Sequence, residues 1–179
     1  MAGEAGAAWT VREVPPEEFG RLAEIDLSES GEIVYKLVDG EWQVVPWNWE
    51  RPPELLDAWD ERIEVVRAAL APGGVAVGAF AGGRLVGFAA LRYALEGDVA
   101  QLAALWVSAP WRRHGIATAL VDELERRARA RGARRMYVSA TPSESAQGFY
   151  RGRGFRPTSF VHRELYALEP EDVHMIRDL

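Results

Sequence analysis

LWVSAPWRRHGIATAL, residues Leu105 to Leu120, changes its apolar period midway. Its first residues end a run from Val99 that reads as a strand. A loop of Pro110, Trp111, Arg112, Arg113, His114 and Gly115 follows, and then Ala117, Leu120, Val121, Leu124 and Ala128 recur at the spacing of one helical face. The loop therefore stands at a helix N-terminus, where the first amides lack intrahelical acceptors and the dipole favours negative charge. Two arginines and a histidine sit at that mouth, and Gly115 leaves room for a close approach to the backbone. This is a candidate phosphate or pyrophosphate site. The competing reading is an ordinary junction with solvated basic residues.

The rest of the chain bounds what such a site can serve. A length of 179 residues predicts one domain over residues 1–179. There is no cysteine, which excludes disulfides, thiolate zinc sites and a cysteine nucleophile. The opening MAGEAGAAWT has neither a basic start nor an apolar run, so no secretory signal is expected. No apolar run approaches the ~18 residues of a membrane span, and a cytoplasmic location with no membrane partner is the expectation. No His/Asp/Glu spacing resembles a metal site, so no metal is expected, and His174 reads as a surface residue of the tail. The net charge of −6 is unevenly placed. From Arg112 to Arg156, eleven arginines face four acids, a net +7; from Glu17 to Glu64, fourteen acids face four bases, a net −10. One part suits an anion and the other a cation.

Along the chain, Ala8 to Val14 alternate as a first strand, and Pro15-Pro16 starts a helix with Phe19 and Leu22 on its apolar face. SESGE reads as a loop. Ile33 to Leu37 and Trp42 to Val44 then flank Asp39-Gly40, a hairpin signal, and PWNWERPP reads as a loop. Leu55 to Leu70 forms a helical pattern ended by Pro72-Gly73-Gly74. Val75 to Phe80, Arg84 to Tyr93 and Val99 to Val107 are strands joined by short turns. The central helix stops at Gly132, and Arg135 to Ala140 is a strand. Thr141-Pro142-Ser143-Glu144 predicts a capping box, and the helix after it ends at Gly154. Two last strands follow, with Leu165 to Leu168 in the second. Three strands joined by short turns imply a meander, and the strand–helix–strand unit implies a right-handed parallel crossover. The fold class is therefore α/β of the mixed α+β kind: a central, mixed but mostly antiparallel twisted sheet of about seven strands, with helices on both faces and an inserted hairpin.

Val107, Arg112, Gly115, Ile116 and Ala117 stand at the spacing (V)xxxx(Q/R)xxGx(G/A), which resembles the signature of the GNAT superfamily of acyl-CoA-dependent N-acetyltransferases. Ala109 stands where that family often has Pro, and Arg113 where it often has Gly. Ser143, Ala146, Phe149, Tyr150, Gly154 and Phe155 are similar to its second motif, NxxAxxxYxxxGF, with Ser143 in place of Asn. The element order matches the fold from Trp9 to Leu168. The resemblance implies acetyl-CoA as co-substrate, held over roughly residues 99–156 by Leu105, Trp106, Val107, Arg112, Arg113, His114, Gly115, Ile116, Ala117, Thr118, Ser143, Ala146 and Tyr150. It also implies Tyr150 as the acid that protonates the departing thiolate, and the Val107 N–H as donor to the acetyl oxygen.

The acceptor lies on the other side, in roughly residues 17–70. Glu32, Tyr35, Trp47 and Trp49 are the candidate substrate residues, an aromatic and acidic set suited to a small cationic amine. The competing reading is that these aromatics cap the core. The general base stays open among Glu29, Glu32, His162, Glu164 and a water chain. The leading function is acetyl transfer from acetyl-CoA to a primary amine by direct attack. The alternatives are a non-catalytic acyl-CoA-binding module and a protein or peptide acetyltransferase. A nucleic-acid binder using the six arginines of Arg126 to Arg135 is opposed by Asp122, Glu123 and Glu125 before them, and no nucleic-acid partner is expected. A monomer and a homodimer are both compatible with the chain. No G-x-G-x-x-G fingerprint is present.

Overall fold

The computed structural model describes residues 8–39, 41–52 and 58–179. Gly40 of the Asp39-Gly40 turn and Leu55-Leu56 of the second helix lie outside the described residues.

Three strands form the centre: β4 (Gly74–Ala81), β5 (Arg84–Glu96) and β6 (Val99–Val107). Each is apolar at nearly every position because both faces are covered. On β4, Val75, Val77 and Ala79 belong to one core cluster, while Ala76 and Phe80 belong to the other. That division is the two-residue alternation of a strand. The first cluster is closed by α2 (Ile116–Ala130) through Ile116, Leu120, Val121, Leu124 and Ala128. The second is closed by a 3₁₀ segment, Pro16–Glu24, and by α1 (Trp59–Leu70). Phe19 and Leu22 are buried as the apolar spacing predicts, but the segment winds as 3₁₀ rather than α.

The sheet has seven strands in the order β1-β4-β5-β6-β7-β9-β8, with β1 at Trp9–Glu13, β7 at Arg135–Ala140, β8 at Arg156–Pro157 and β9 at Val173–Asp178. Among the described residues only β6 and β7 pair in parallel, and they do so over Val99–Gln101 against Arg135–Tyr137. Beyond Gln101 the two strands part. A separate two-stranded ribbon joins β2 (Glu29–Val38) to β3 (Glu41–Arg51). The inserted hairpin is therefore present and longer than expected: Glu29–Glu32 of SESGE and Pro46–Arg51 of PWNWERPP are strand rather than loop.

The C-terminal part departs further from expectation. Arg163–Leu168 is a short helix, α4, not a strand. The last strand is β9, drawn from the tail, and it lies between β7 and β8. His174 on β9 is buried rather than on the surface, with Nδ1 bonded to the Tyr137 hydroxyl. Among the described residues, no helix is long and apolar enough to cross a membrane.

Candidate active site

The parting of β6 and β7 opens a cleft of ≈ 1320 Å³ whose walls are β6, the first turn of α2, the end of β7 and α3 (Glu144–Gly152). Strand geometry sets what β6 offers to it. The Ser108 N–H donates to the Val86 carbonyl at 2.9 Å, so Ser108 and Trp106 turn their peptide groups toward β5. Backbone direction alternates along a strand, so the N–H and C=O groups of Leu105 and Val107 point the other way, into the cleft. On that side the Val107 carbonyl accepts from Arg112 Nε at 3.3 Å.

The loop after β6 is held from below. Ala109 N–H donates to the Asp26 carbonyl at 2.8 Å, Asp26 N–H donates to Ser108 Oγ at 3.0 Å, and Trp111 is buried. Gly115 caps α2 at φ +79°, a left-handed conformation that side chains with a Cβ resist. A Cβ at Gly115 would meet nothing within 4 Å, so the space above it is open. The first helical bond of α2 runs from Ala119 N–H to the Gly115 carbonyl at 3.0 Å. The amides of Ile116, Ala117 and Thr118 thus have no acceptor among the described residues, and Arg112 and Arg113 flank them. This is a preorganised anion cradle.

Tyr150 comes from α3. Ser143 caps that helix, its Oγ accepting from Ala146 N–H at 3.3 Å; the cap is not at Thr141, and Pro142 lies before the helix rather than within it. Gln147 Nε2 donates to the carbonyls of Ala140 and Thr141 at 3.2 and 2.9 Å, fixing α3 to the end of β7. Phe149 and Phe155 meet the Tyr150 ring edge-on at 5.4 and 5.5 Å. The side chain is 7% exposed, yet its hydroxyl has no hydrogen-bond partner among the described residues and opens on the cleft. Burial first, then the nearby charge of Asp172, raise its pKa well above the ordinary phenol range, so the hydroxyl keeps its proton.

The candidate residues Leu105, Trp106, Val107, Arg112, Arg113, Gly115, Ile116, Ala117, Thr118, Ser143, Ala146 and Tyr150 all line this one cleft. His114 does not; its Nδ1 lies 2.7 Å from the Arg112 carbonyl and its ring rests against Trp111. Nor do Glu32, Tyr35, Trp47 and Trp49. Tyr35 packs edge-on against Trp42 at 5.8 Å, Trp49 donates its indole N–H to the Ile33 carbonyl at 3.3 Å, and Glu32 and Trp47 face outward. The cleft is lined further by Glu29, Glu50 and Glu61 with Arg51 and Arg62, and by Glu169 and Asp172 from the turn between α4 and β9. The last two were missed from sequence. Their signal was Glu169-Pro170-Glu171-Asp172, a turn with Pro at its second position before an alternating run from Val173. Among the described residues no group of three or more His, Cys, Asp or Glu could hold a metal ion.

No curated protein matches the chain in sequence. Solved structures do match in fold. Nourseothricin acetyltransferase is 20% identical, with a TM-score of 0.71 over 96% of this chain and 98% of that one. The PaiA N-acetyltransferase of Thermoplasma acidophilum, solved in complex with coenzyme A, is 18% identical, with a TM-score of 0.64 over 96% and 99%. Aminoglycoside 6'-acetyltransferase type Ii is 20% identical, with a TM-score of 0.60 over 94% and 96%. The family model described as Acetyltransferase (GNAT) family matches residues 33–155, which hold the anion cradle, the parted strands and Tyr150, and the chain belongs to that family.

Proposed function

We propose that the protein transfers an acetyl group from acetyl-CoA to a primary amine of a small cationic acceptor, by direct attack and with Tyr150 as general acid. The reading rests on one juxtaposition: the free amides of Ile116–Thr118 and the unpartnered Tyr150 hydroxyl open on the same cleft. The amides suit the pyrophosphate of the nucleotide, and the backbone groups of Leu105 and Val107 suit the pantetheine amides and the acetyl oxygen. Bound acetyl-CoA supplies the electrophilic thioester carbonyl and its thiolate leaving group.

The chain's own part is then positional and electrostatic. An N–H at Val107 receives charge that develops on the carbonyl oxygen, and losing such a donor typically costs about 3–4 kcal/mol of barrier lowering. Tyr150 holds a proton within a dry wall and gives it to sulfur as the C–S bond breaks. The acidic acceptor end, five carboxylates against two arginines, favours a cation over an anion. Two of the fold neighbours carry the names of cationic antibiotics, which agrees with that preference.

The test is thiol release from acetyl-CoA across polyamines, aminoglycosides, amino acids and peptides. Small cations are expected to exceed the hydrolysis background. Turnover confined to peptides overturns the acceptor class, and the substitution Tyr150→Phe separates catalysis from binding. It should lower kcat by about 10²–10⁴, the usual contribution of a positioned acid, and leave coenzyme A affinity nearly unchanged. An unchanged kcat removes Tyr150 from the chemistry.

A further inference from the structure

We infer that the turn joining α4 to β9 supplies the acceptor-side base of this cleft, with Asp172 taking the proton of the incoming ammonium and Glu169 as its neighbour on the same turn. The inference rests on the transfer reading above and assigns the proton acceptor that reading leaves open.

The placement is specific. Asp172 N–H donates to the Glu169 carbonyl at 3.1 Å, closing a turn, and both residues line the cleft that Tyr150 lines. The Glu169 carboxylate acts on the Asp172 carboxyl as a like charge. Tyr150 is itself nine-tenths buried, with its free hydroxyl aimed into the same space, and it senses the Asp172 charge. The groups that face Asp172 are Glu169 on its own turn, Arg51 at the end of β3 and Tyr150 on α3. Glu50 and Glu61 are exposed, as Glu169 is, while Asp172 is half-buried, and Glu29 is engaged by the Ser145 hydroxyl.

Burial, followed by the Glu169 charge, pushes the Asp172 carboxyl up to about 7, against the opposing pull of Arg51. The consequence is chemical. An alkylammonium has a pKa near ~10.4 and an ordinary aspartate ~3.9, so transfer between them is uphill by more than six units. Raising the acceptor by about three units removes half of that gap. The proton count closes. The ammonium gives one proton to Asp172, and its freed lone pair forms the C–N bond. The nitrogen sheds a second proton as the C–S bond breaks, and the leaving sulfur takes the Tyr150 proton. One of the two protons shed restores the phenol through solvent and the other is released, leaving amide and free thiol.

The experiment compares wild-type enzyme with Asp172→Asn and Glu169→Gln, using acetyl-CoA with spermidine and kanamycin as probes. It records kcat/KM from pH ~5.5 to ~10 and coenzyme A affinity by calorimetry. The Asp172→Asn variant is expected to lose on the order of 100-fold in kcat/KM near neutral pH, with recovery as pH approaches the amine's own pKa and coenzyme A affinity held within about twofold. In Glu169→Gln the acidic limb of the profile should move to lower pH, because a negative neighbour has gone. An active wild type whose profile Asp172→Asn leaves superimposed overturns the base and leaves the transfer reading intact. Should Asp172→Asn fail to fold, an unmoved limb in Glu169→Gln overturns the base as well. A wild type that binds coenzyme A but releases thiol with neither probe nor any other amine overturns the transfer reading, and the base with it.

Discussion

Gly87 shows how closely a single residue governs the cradle. It sits on β5 beneath the first turn of α2, and a Cβ there would stand 2.7 Å from Ile116 Cγ2 and 3.3 Å from Leu120 Cδ1. Those contacts are tighter than packed side chains tolerate, so Ile116 and its amide must move. The substitution Gly87→Val is expected to raise the KM for acetyl-CoA several-fold. It should also lower stability by about 1–3 kcal/mol, the range for overpacked cores. Steady-state kinetics and urea denaturation on one preparation check both, and an unchanged KM means that the cradle does not depend on this packing. Arg112 and Gly115 are different in kind, because their place at the N-terminus of α2 is legible from spacing. Asp172 was not legible. An aspartate in a polar tail looks solvated until the fold sets it on one cleft with Glu169 and Tyr150.

At the scale of elements, α3 is the clearest dependency. Its nine residues carry Tyr150, and its start is held by the Ser143 hydroxyl and by the side chain of Gln147. Replacing Ser143 with Ala should cost about 1 kcal/mol, as loss of an N-cap does, read as a shift in the denaturation midpoint at constant slope. The centre of the sheet was readable because β4, β5 and β6 are buried on both faces and are bounded by Gly82-Gly83 and Gly97. The ribbon was readable only at its tip. Its outer parts, Glu29–Glu32 and Trp47–Arg51, are half-exposed on both sides and show no two-residue apolar period. RELYAL, at six residues, is too short to separate helical from alternating spacing, and it folds as α4. In β9 the misleading residues are His174 and Arg177, whose partners Tyr137 and Glu125 are remote in sequence.

Across the whole molecule the uneven charge resolves into one cleft with a basic end at Arg112 and Arg113 and an acidic end at Glu29, Glu50, Glu61, Glu169 and Asp172. Many of the remaining arginines are paired. Glu123 joins Arg126 and Arg127, and the buried Glu125 joins Arg153 and Arg177 at 3.0 and 3.1 Å, tying α2 to the C-terminal strand. Holding Asp172 in the acidic end has a thermodynamic consequence. Its pKa is higher folded, about 7, than the ordinary 3.8, so its ionisation favours the unfolded chain. The stability it contributes is fully present below the ordinary value and is lost as pH rises through about 7. The melting temperature of Asp172→Asn should therefore match that of the wild type at acid pH and exceed it above neutral. Thermal denaturation across that range checks the sign, and a variant less stable at high pH shows that Asp172 is held by favourable contacts instead.

What the sequence determined by itself was the local chemistry of a strand–loop–helix junction and the periodicity of the buried strands. Both depend on neighbours within a few residues, where hydrogen-bonding geometry and apolar spacing act directly. What only the tertiary structure decided was the acidic part of the cleft: that the aromatic residues of the ribbon pack or face outward rather than line it, and that a turn near the C-terminus brings two carboxyls to it. Those facts come from the insertion of β9 between β7 and β8, and from the parting of β6 and β7. Long-range pairing of this kind leaves no periodic trace in the chain, because the groups that satisfy it are supplied from elsewhere.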